Sequence, residues 1–485
     1  MLRGLGLVIW IVGAIAGMVS AGVAADAPRP LASAFHAMKA DRWDVAARLA
    51  ARDGPAASAL IEWYRLSAGN GSAEEILAFL EAHPDWPGLD YLRRQSEETM
   101  SEASDAQILA FYDNGVLAQT GTGALSRARA LYADDRPGEA EATLALAWLT
   151  MDLSEEEHTA FIDAHGPMLE PHHEARFDMT LWRGLRDAEQ MAPLVSEDRR
   201  RVARALRMIE DGDSGLDAYL DGLPDALRAD PLINHALFNR HIDRGRSDEA
   251  IAVILRQSRA DAGLGEPERW AGWRRYLARA RMRDGDPQTA YALASQHRLV
   301  QGASFADLEW LSGYIALRYL EDPDLALDHF QRFRGAVDTP ISLGRAGYWL
   351  GRALEAAGDS EDAAIAYAQG ADHQTSFYGL LAAERAGLPA DPDLAGDETF
   401  PDWRAAPFAD TPLYKAAVLA LAAGELNLAE RFFTHLAESQ DRTGLGQMGA
   451  MAQDLGQPHL QVMLGKTAAQ RGITLPGPYY ALHPM

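Results

Sequence analysis

One recurring pattern limits the fold of this chain more than any other feature. A turn rich in Gly, Asp or Pro is followed within about five residues by an alanine, and four positions later by a large apolar residue or a second small one. AGDSEDAAIAY sets Ala363 ahead of Tyr367, EDPDLALDHF sets Ala326 ahead of Phe330, and GDPQTAYALA sets Ala290 ahead of Ala294. RGRSDEAIAVI (Ala250, Ile254), GELNLAERFF (Ala429, Phe433), DDRPGEAEATL (Ala140, Leu144) and DRWDVAARLA (Ala46, Ala50) repeat it. Helix-hairpin packing explains the pattern: the small side chain lets a second helix lie close on the first, and the bulky one a turn later fills the space beside it. The intervals agree, with 36 residues from Ala290 to Ala326 and 37 from Ala326 to Ala363, close to the roughly 34-residue period of tetratricopeptide-type hairpins. Alternating β-branched stretches are hard to find. The pattern therefore predicts an all-α chain, an irregular α-solenoid of tetratricopeptide-like hairpins whose core comes from stacking of neighbours.

One segment interrupts the rhythm. Residues 387–412 hold five prolines, Pro389, Pro392, Pro401, Pro407 and Pro412, and a connection of that length inside a compact fold is a link or a functional loop. It divides the expected architecture into a superhelical part over 26–388, a proline-rich connection over 389–412 and a smaller helical part over 413–475. Just before it lies HQTSFYGLLAAERAGLP, in which a glycine stands in the first turn of a short alanine-rich helix. Ser376 as N-cap and Gly387 before Leu388-Pro389 as stop predict a helix over 377–386. Gly379, Ala383 and Ala386 share one small face for close approach, and Phe377, Leu380 and Leu381 form a bulky face beside it, with Phe377 and Tyr378 expected in core and rim packing.

Composition removes several functions. A formal charge of −25 repels polyphosphates and anionic lipid, so nucleic acid is not an expected partner. The run from Gly4 to Ala25 carries no charge, follows Arg3 and ends Val23-Ala24-Ala25, which predicts a secretory signal over 1–25, cleaved before Asp26, and no membrane association afterwards. With no cysteine anywhere, neither a lipidated N-terminus nor a disulfide nor a thiolate metal site is available. His172-His173-Glu174 offers no metal pair, because adjacent helical side chains diverge by about 100°, and no cofactor motif appears. Asn70-Gly71-Ser72 reads as a turn. Trp43, Trp63, Trp182, Trp270, Trp310 and Trp349 fall in helices and are expected in the core, with one or two free to line the concave surface.

Several stretches resemble one family in order along the chain: LIEWYRL (60–66), HPDWPGLDYLRR (83–94), TGTGALSRARAL (120–131), EPHHEARFD (170–178), GRAGYWLGRALEAAGD (344–359) and SFYGLLAAERAGLP. The chain is similar there to soluble lytic murein transglycosylases of the alphaproteobacterial type, enzymes that cleave peptidoglycan glycan strands. The resemblance implies a ring- or U-shaped superhelix in the periplasm, followed by a helical linker domain, with glycan strands as partner.

The family's activity lies in a C-terminal lysozyme-like domain, where one glutamate serves as acid and then base and leaves an anhydro-muramyl end. Its marker is Glu-Ser, then Ala-x-Ser, then Gly-Leu-Met-Gln. Here Glu438-Ser439 is followed by GLGQMGAMAQ, which has the wrong spacing and reads as a helix whose methionines fill a core. KTAAQRGITLPGPYYALHPM resembles the family's junction, so residues 476–485 mark where the catalytic domain would start and Tyr479 and Tyr480 are the candidate contacts to it. The expectation is a scaffold without catalytic residues, cofactor or metal, whose catalytic domain is lost or separately encoded. The alternative is a periplasmic adaptor whose repeat surface holds a protein partner.

Overall fold

The computed structural model describes residues 29–482 and contains α-helices, short 3₁₀ turns and, among the described residues, no strand. The leader expected over 1–25 lies outside the described residues. No described helix is long and apolar enough to cross a membrane.

The chain is an all-α superhelix, and its hairpins follow the alanine pattern. Each pair named above lies in the second helix of a hairpin or its counterpart, and none of these side chains is more than 4% exposed. The turn residues have separate tasks. Gly285 and Gly358 end the preceding helices in left-handed backbone, with φ of 81° and 90°, which a side chain would oppose. Asp286, Asp322 and Asp359 then cap the following helices, accepting from the backbone N–H of Thr289, Leu325 and Asp362 at 3.1, 3.0 and 3.2 Å. Pro287 and Pro323 occupy the first helical position, where a missing N–H costs nothing.

Packing is tightest where the Pro340–Ala357 helix meets Ser360–Ala371 and Phe377–Ala386. A Cβ on Gly347 would stand 2.5 Å from the Gly370 backbone, and one on Gly351 2.5 Å from the Tyr367 ring. The 377–386 helix has the expected limits, with Ser376 accepting from the Gly379 N–H at 3.1 Å and Gly387 left-handed. Its early glycine is required because any Cβ at 379 would overlap the carbonyl of His373. The bulky face departs from expectation. Tyr378 packs on Tyr348 and Trp349, but Phe377 is 69% and Leu380 49% exposed, because the neighbouring helices contact the small face and leave this one uncovered.

The connection over 389–412 is three short 3₁₀ turns fastened to the helices after it. Phe408 is buried, the Trp403 indole N–H donates to Asp454 at 3.0 Å, and Arg442 pairs with Glu398 at 2.6 Å. The helices Pro412–Ala422 and Leu426–Glu438 then return to the start of the chain and share one apolar cluster with its first helices. Phe432, fully buried, meets Trp63 and Trp86 edge to face at 5.6 and 5.2 Å. The Arg431 guanidinium covers Trp63, Lys39 pairs with Glu425 at 2.6 Å, and His435 contacts the Asp85 carbonyl at 3.0 Å. The superhelix thus closes on itself through contacts between residues more than three hundred positions apart.

Candidate functional site

A glycosidic acid needs a carboxyl whose pKa is raised in an apolar pocket open to substrate. Glu438 does not sit in one. It ends the 426–438 helix with its side chain 63% exposed beside His435, and Ser439 donates to the Leu436 carbonyl within its own turn. In the following helix, Arg442–Asp454, Met448 and Met451 are fully buried and Gly446 admits the Phe400 ring. The methionines therefore fill a core.

Other carboxyls perturbed by burial serve as ties, Asp187 to His158 and Arg176 among them. Burial pushes Glu97 up, but the side chain is 1% exposed and its oxygens already accept from the Gln119 N–H at 2.8 Å and the Thr120 hydroxyl at 2.6 Å. Burial also pushes Asp178 up against the pull of Arg199, its ion-pair partner. Glu309 is the opposite case. Burial alone would raise it, yet hydrogen bonds from His297 and His329 and the Arg332 guanidinium outweigh that and hold it down at about 2. The contacts are 3.0, 2.6 and 2.9 Å, and the Tyr291 hydroxyl meets the far nitrogen of His329 at 2.8 Å. This network joins the Pro287–Ser295, Ala303–Tyr319 and Pro323–Gly335 helices and keeps its carboxyl ionised at neutral pH.

The two tyrosines singled out in the sequence lie at the C-terminal edge. The short helix Pro476–Tyr479 is seated on Gly449 and Gly465 and against the turn at Gly396, where Cβ atoms would press on Pro478, on the Tyr479 backbone and on Gly477. Tyr479 is half-buried. Tyr480 turns outward, 50% exposed, and its hydroxyl donates to the Thr375 carbonyl at 2.8 Å, tying this edge to the start of the 377–386 helix. A cavity of about 460 Å³ opens here between Phe400, Gln453, Gln461, Tyr480 and Leu482. Phe377 and Leu380 are exposed on the helix whose start Tyr480 reaches, and Leu482 is exposed two residues after Tyr480.

The remaining sequence candidates separate. His173 is buried beside Trp148, whereas Glu174 accepts from the Ser196 N–H, and among the described residues no group of His, Asp and Glu could hold a metal ion. Trp63, Trp270 and Trp349 are buried, while Trp43, Trp182 and Trp310 keep part of their surface open. The ring-closing contacts of Phe432 and Arg431 were not foreseen, since an amphipathic pattern marks a helix's apolar face and not which distant helix covers it.

No protein-family model matches the sequence, and no curated protein matches it. Solved structures do. An inactive mutant of the lytic transglycosylase Slt from Pseudomonas aeruginosa is similar at 18% identity and a TM-score of 0.61, over 94% of this chain and 73% of that one. The 70 kDa soluble lytic transglycosylase from Escherichia coli aligns at 15% identity and 0.49, over 92% of this chain and 71% of that one. A complex of the 70-kDa soluble lytic transglycosylase with bulgecin A aligns at 14% and 0.46, over 93% and 72%. The first likeness is close enough to speak for the fold, a superhelix of the same kind.

Proposed function

We propose that the chain is the superhelical scaffold of a peptidoglycan lytic transglycosylase, working in the periplasm after removal of a leader over 1–25. In this reading it holds or threads glycan strands and leaves bond cleavage to a catalytic domain. The observation that carries the reading is the likeness of nearly the whole chain to a solved lytic transglycosylase, which agrees with the ordered sequence resemblance of six separate segments. We further assign the chain to the alphaproteobacterial type, with tetratricopeptide-like hairpins and a division into 26–388, 389–412, 413–475 and a junction from 476.

The placement of the described carboxyls supports the scaffold reading. The described carboxyls that burial raises are sealed or ion-paired, and Glu438 has no pocket around it. The exposed Tyr480, with Leu482 beside it, is the surface on which we place a catalytic domain, Tyr479 anchoring the segment from beneath. The same uncovered side chains are what favours the second reading, an adaptor for a protein partner.

Muropeptide chromatography tests the scaffold reading. The protein alone is expected to release no anhydro-muropeptides from purified peptidoglycan, and fusion of a family catalytic domain after Tyr480 is expected to restore them. Anhydro products from the protein alone would refute it.

A further inference from the structure

Three successive first helices of the solenoid's hairpins, with the 377–386 helix next to them, bring aromatic rings and arginines to one place. They are Glu268–Arg283, Ala303–Tyr319 and Pro340–Ala357. At the centre the Arg345 guanidinium lies 3.5 Å from the centroid of the Trp310 ring, with Phe333 at 5.7 Å and Tyr378 at 6.0 Å. Trp310 stacks in turn on Tyr314 and meets Trp349 edge to face.

Arg345 is half-buried and, among the described residues, has neither an ion pair nor a hydrogen bond, while its Nε is enclosed without a partner. Burial pushes its pKa down, and no hydrogen-bond acceptor offsets it; Tyr378 and Asp307 act to raise it, and Arg279 lowers it further. Asp307 is already held by Arg275 at 2.7 Å, and Arg279 has no ion pair of its own, donating only to the Arg275 carbonyl at 3.4 Å. The indole N–H groups of Trp310 and Trp349 are likewise enclosed and unpartnered. Taking a guanidinium out of water without a carboxylate is costly, and other buried arginines place their donors, Arg199 on Asp178 and Asp230 and Arg274 on the Leu293 carbonyl and the Ser258 hydroxyl. Stacking on Trp310 offsets part of that cost but leaves the planar fork of donors unused. Arg345 and Arg279 thus bring two guanidinium groups without a carboxylate partner near one another in a protein of formal charge −25.

We propose that Arg345, with Arg279 beside it and Trp310 and Tyr378 as its aromatic walls, is a seat for a carboxylate carried on a sugar-containing ligand. The fork takes both oxygens of a carboxylate, and the Trp310 ring, backed by Tyr314 on its stack, holds the guanidinium in place. On the scaffold reading, on which the identity of the ligand rests, that ligand is peptidoglycan, whose carboxylates come either from muramyl lactyl groups or from stem peptides.

Isothermal titration of the protein separates the sources with three probes: a peptide-free glycan oligomer with free lactyl carboxylates, the same oligomer with those groups amidated, and a stem tripeptide without sugar. The free-carboxylate oligomer is expected to bind, and amidation or Arg345→Gln to weaken it about ten- to hundredfold, the range for a hydrogen-bonded charge. The two changes together should weaken it no further than either alone. Arg345-dependent binding of the tripeptide, without the oligomer, would keep the seat and assign the carboxylate to the stem. Because Arg345 makes no polar contact, Arg345→Met should leave the melting temperature unchanged or raised, which a structural arginine would not do. The proposal is overturned if Arg345→Gln binds both carboxylated probes like the parent, or if Arg345→Met unfolds. Intact peptidoglycan bound equally by Arg345→Gln would sink the seat and spare the scaffold reading. Arg345-dependent binding of oligogalacturonate, with no binding of any peptidoglycan fragment, would do the reverse.

Discussion

Replacing Glu309 with glutamine removes the ionised centre of a network that stitches three consecutive helices. A carboxyl held at about 2 in the folded protein, against an ordinary 4.5, contributes about 3 kcal/mol at neutral pH. Its folded value is depressed, so the contribution is full above the ordinary value and is lost as pH falls from about 4.5 towards 2. At pH 3 about 1 kcal/mol of it remains. Solenoids unfold by parts, which makes a single global midpoint a poor measure of one interface. Amide hydrogen exchange in peptides covering 287–335 reads it locally. At pH 7 Glu309→Gln should lower protection there by about a hundredfold, leaving peptides in the 426–470 helices unchanged. At pH 3 the gap between parent and variant should shrink to about tenfold or less. A gap that is equal at both pH values would show that the ionised carboxyl is not what holds these helices together, and the reasoning would fail.

Ala363→Phe should destabilise the 340–371 hairpin by about 1–3 kcal/mol through overpacking, seen as lost exchange protection in that hairpin; an unchanged profile would contradict the repeat register. Two glycines should respond with opposite signs. Gly272→Ala, mid-helix with open space around its Cβ, should gain up to about 1 kcal/mol, while Gly379→Ala should lose stability because its Cβ overlaps a carbonyl, and thermal melts that move the same way would refute this. Phe432→Ala should cost about 3–5 kcal/mol at the ring closure and speed proteolysis of the first helices; equal cleavage rates would show that the closure does not depend on this ring.

Much of the fold was legible because the repeat uses side-chain size directly. Ala326 and Phe330, or Ala363 and Tyr367, state by their spacing which helix face is pressed closely and which gap must be filled. The 377–386 helix was legible at both ends because Ser376 and Gly387 act through their own backbone neighbourhood. Exposure of Phe377 was not, since periodicity groups residues on a face without saying whether anything covers it. The return of Phe432 to Trp63 and Trp86 left no local mark either. Arg345 and Trp310 come from separate helices, and only the stacking of hairpins places one over the other. The spacing after Glu438 was readable in the sequence, and that side chain lies exposed at a helix end beside His435.

Co-sedimentation of the protein with purified, insoluble peptidoglycan over a range of salt concentrations tests the scaffold reading most directly. The account predicts saturable binding that weakens with salt, as expected where unpaired arginines meet carboxylates at a partly exposed site. Failure to sediment with peptidoglycan at any salt concentration would contradict a glycan-holding role and favour the protein adaptor.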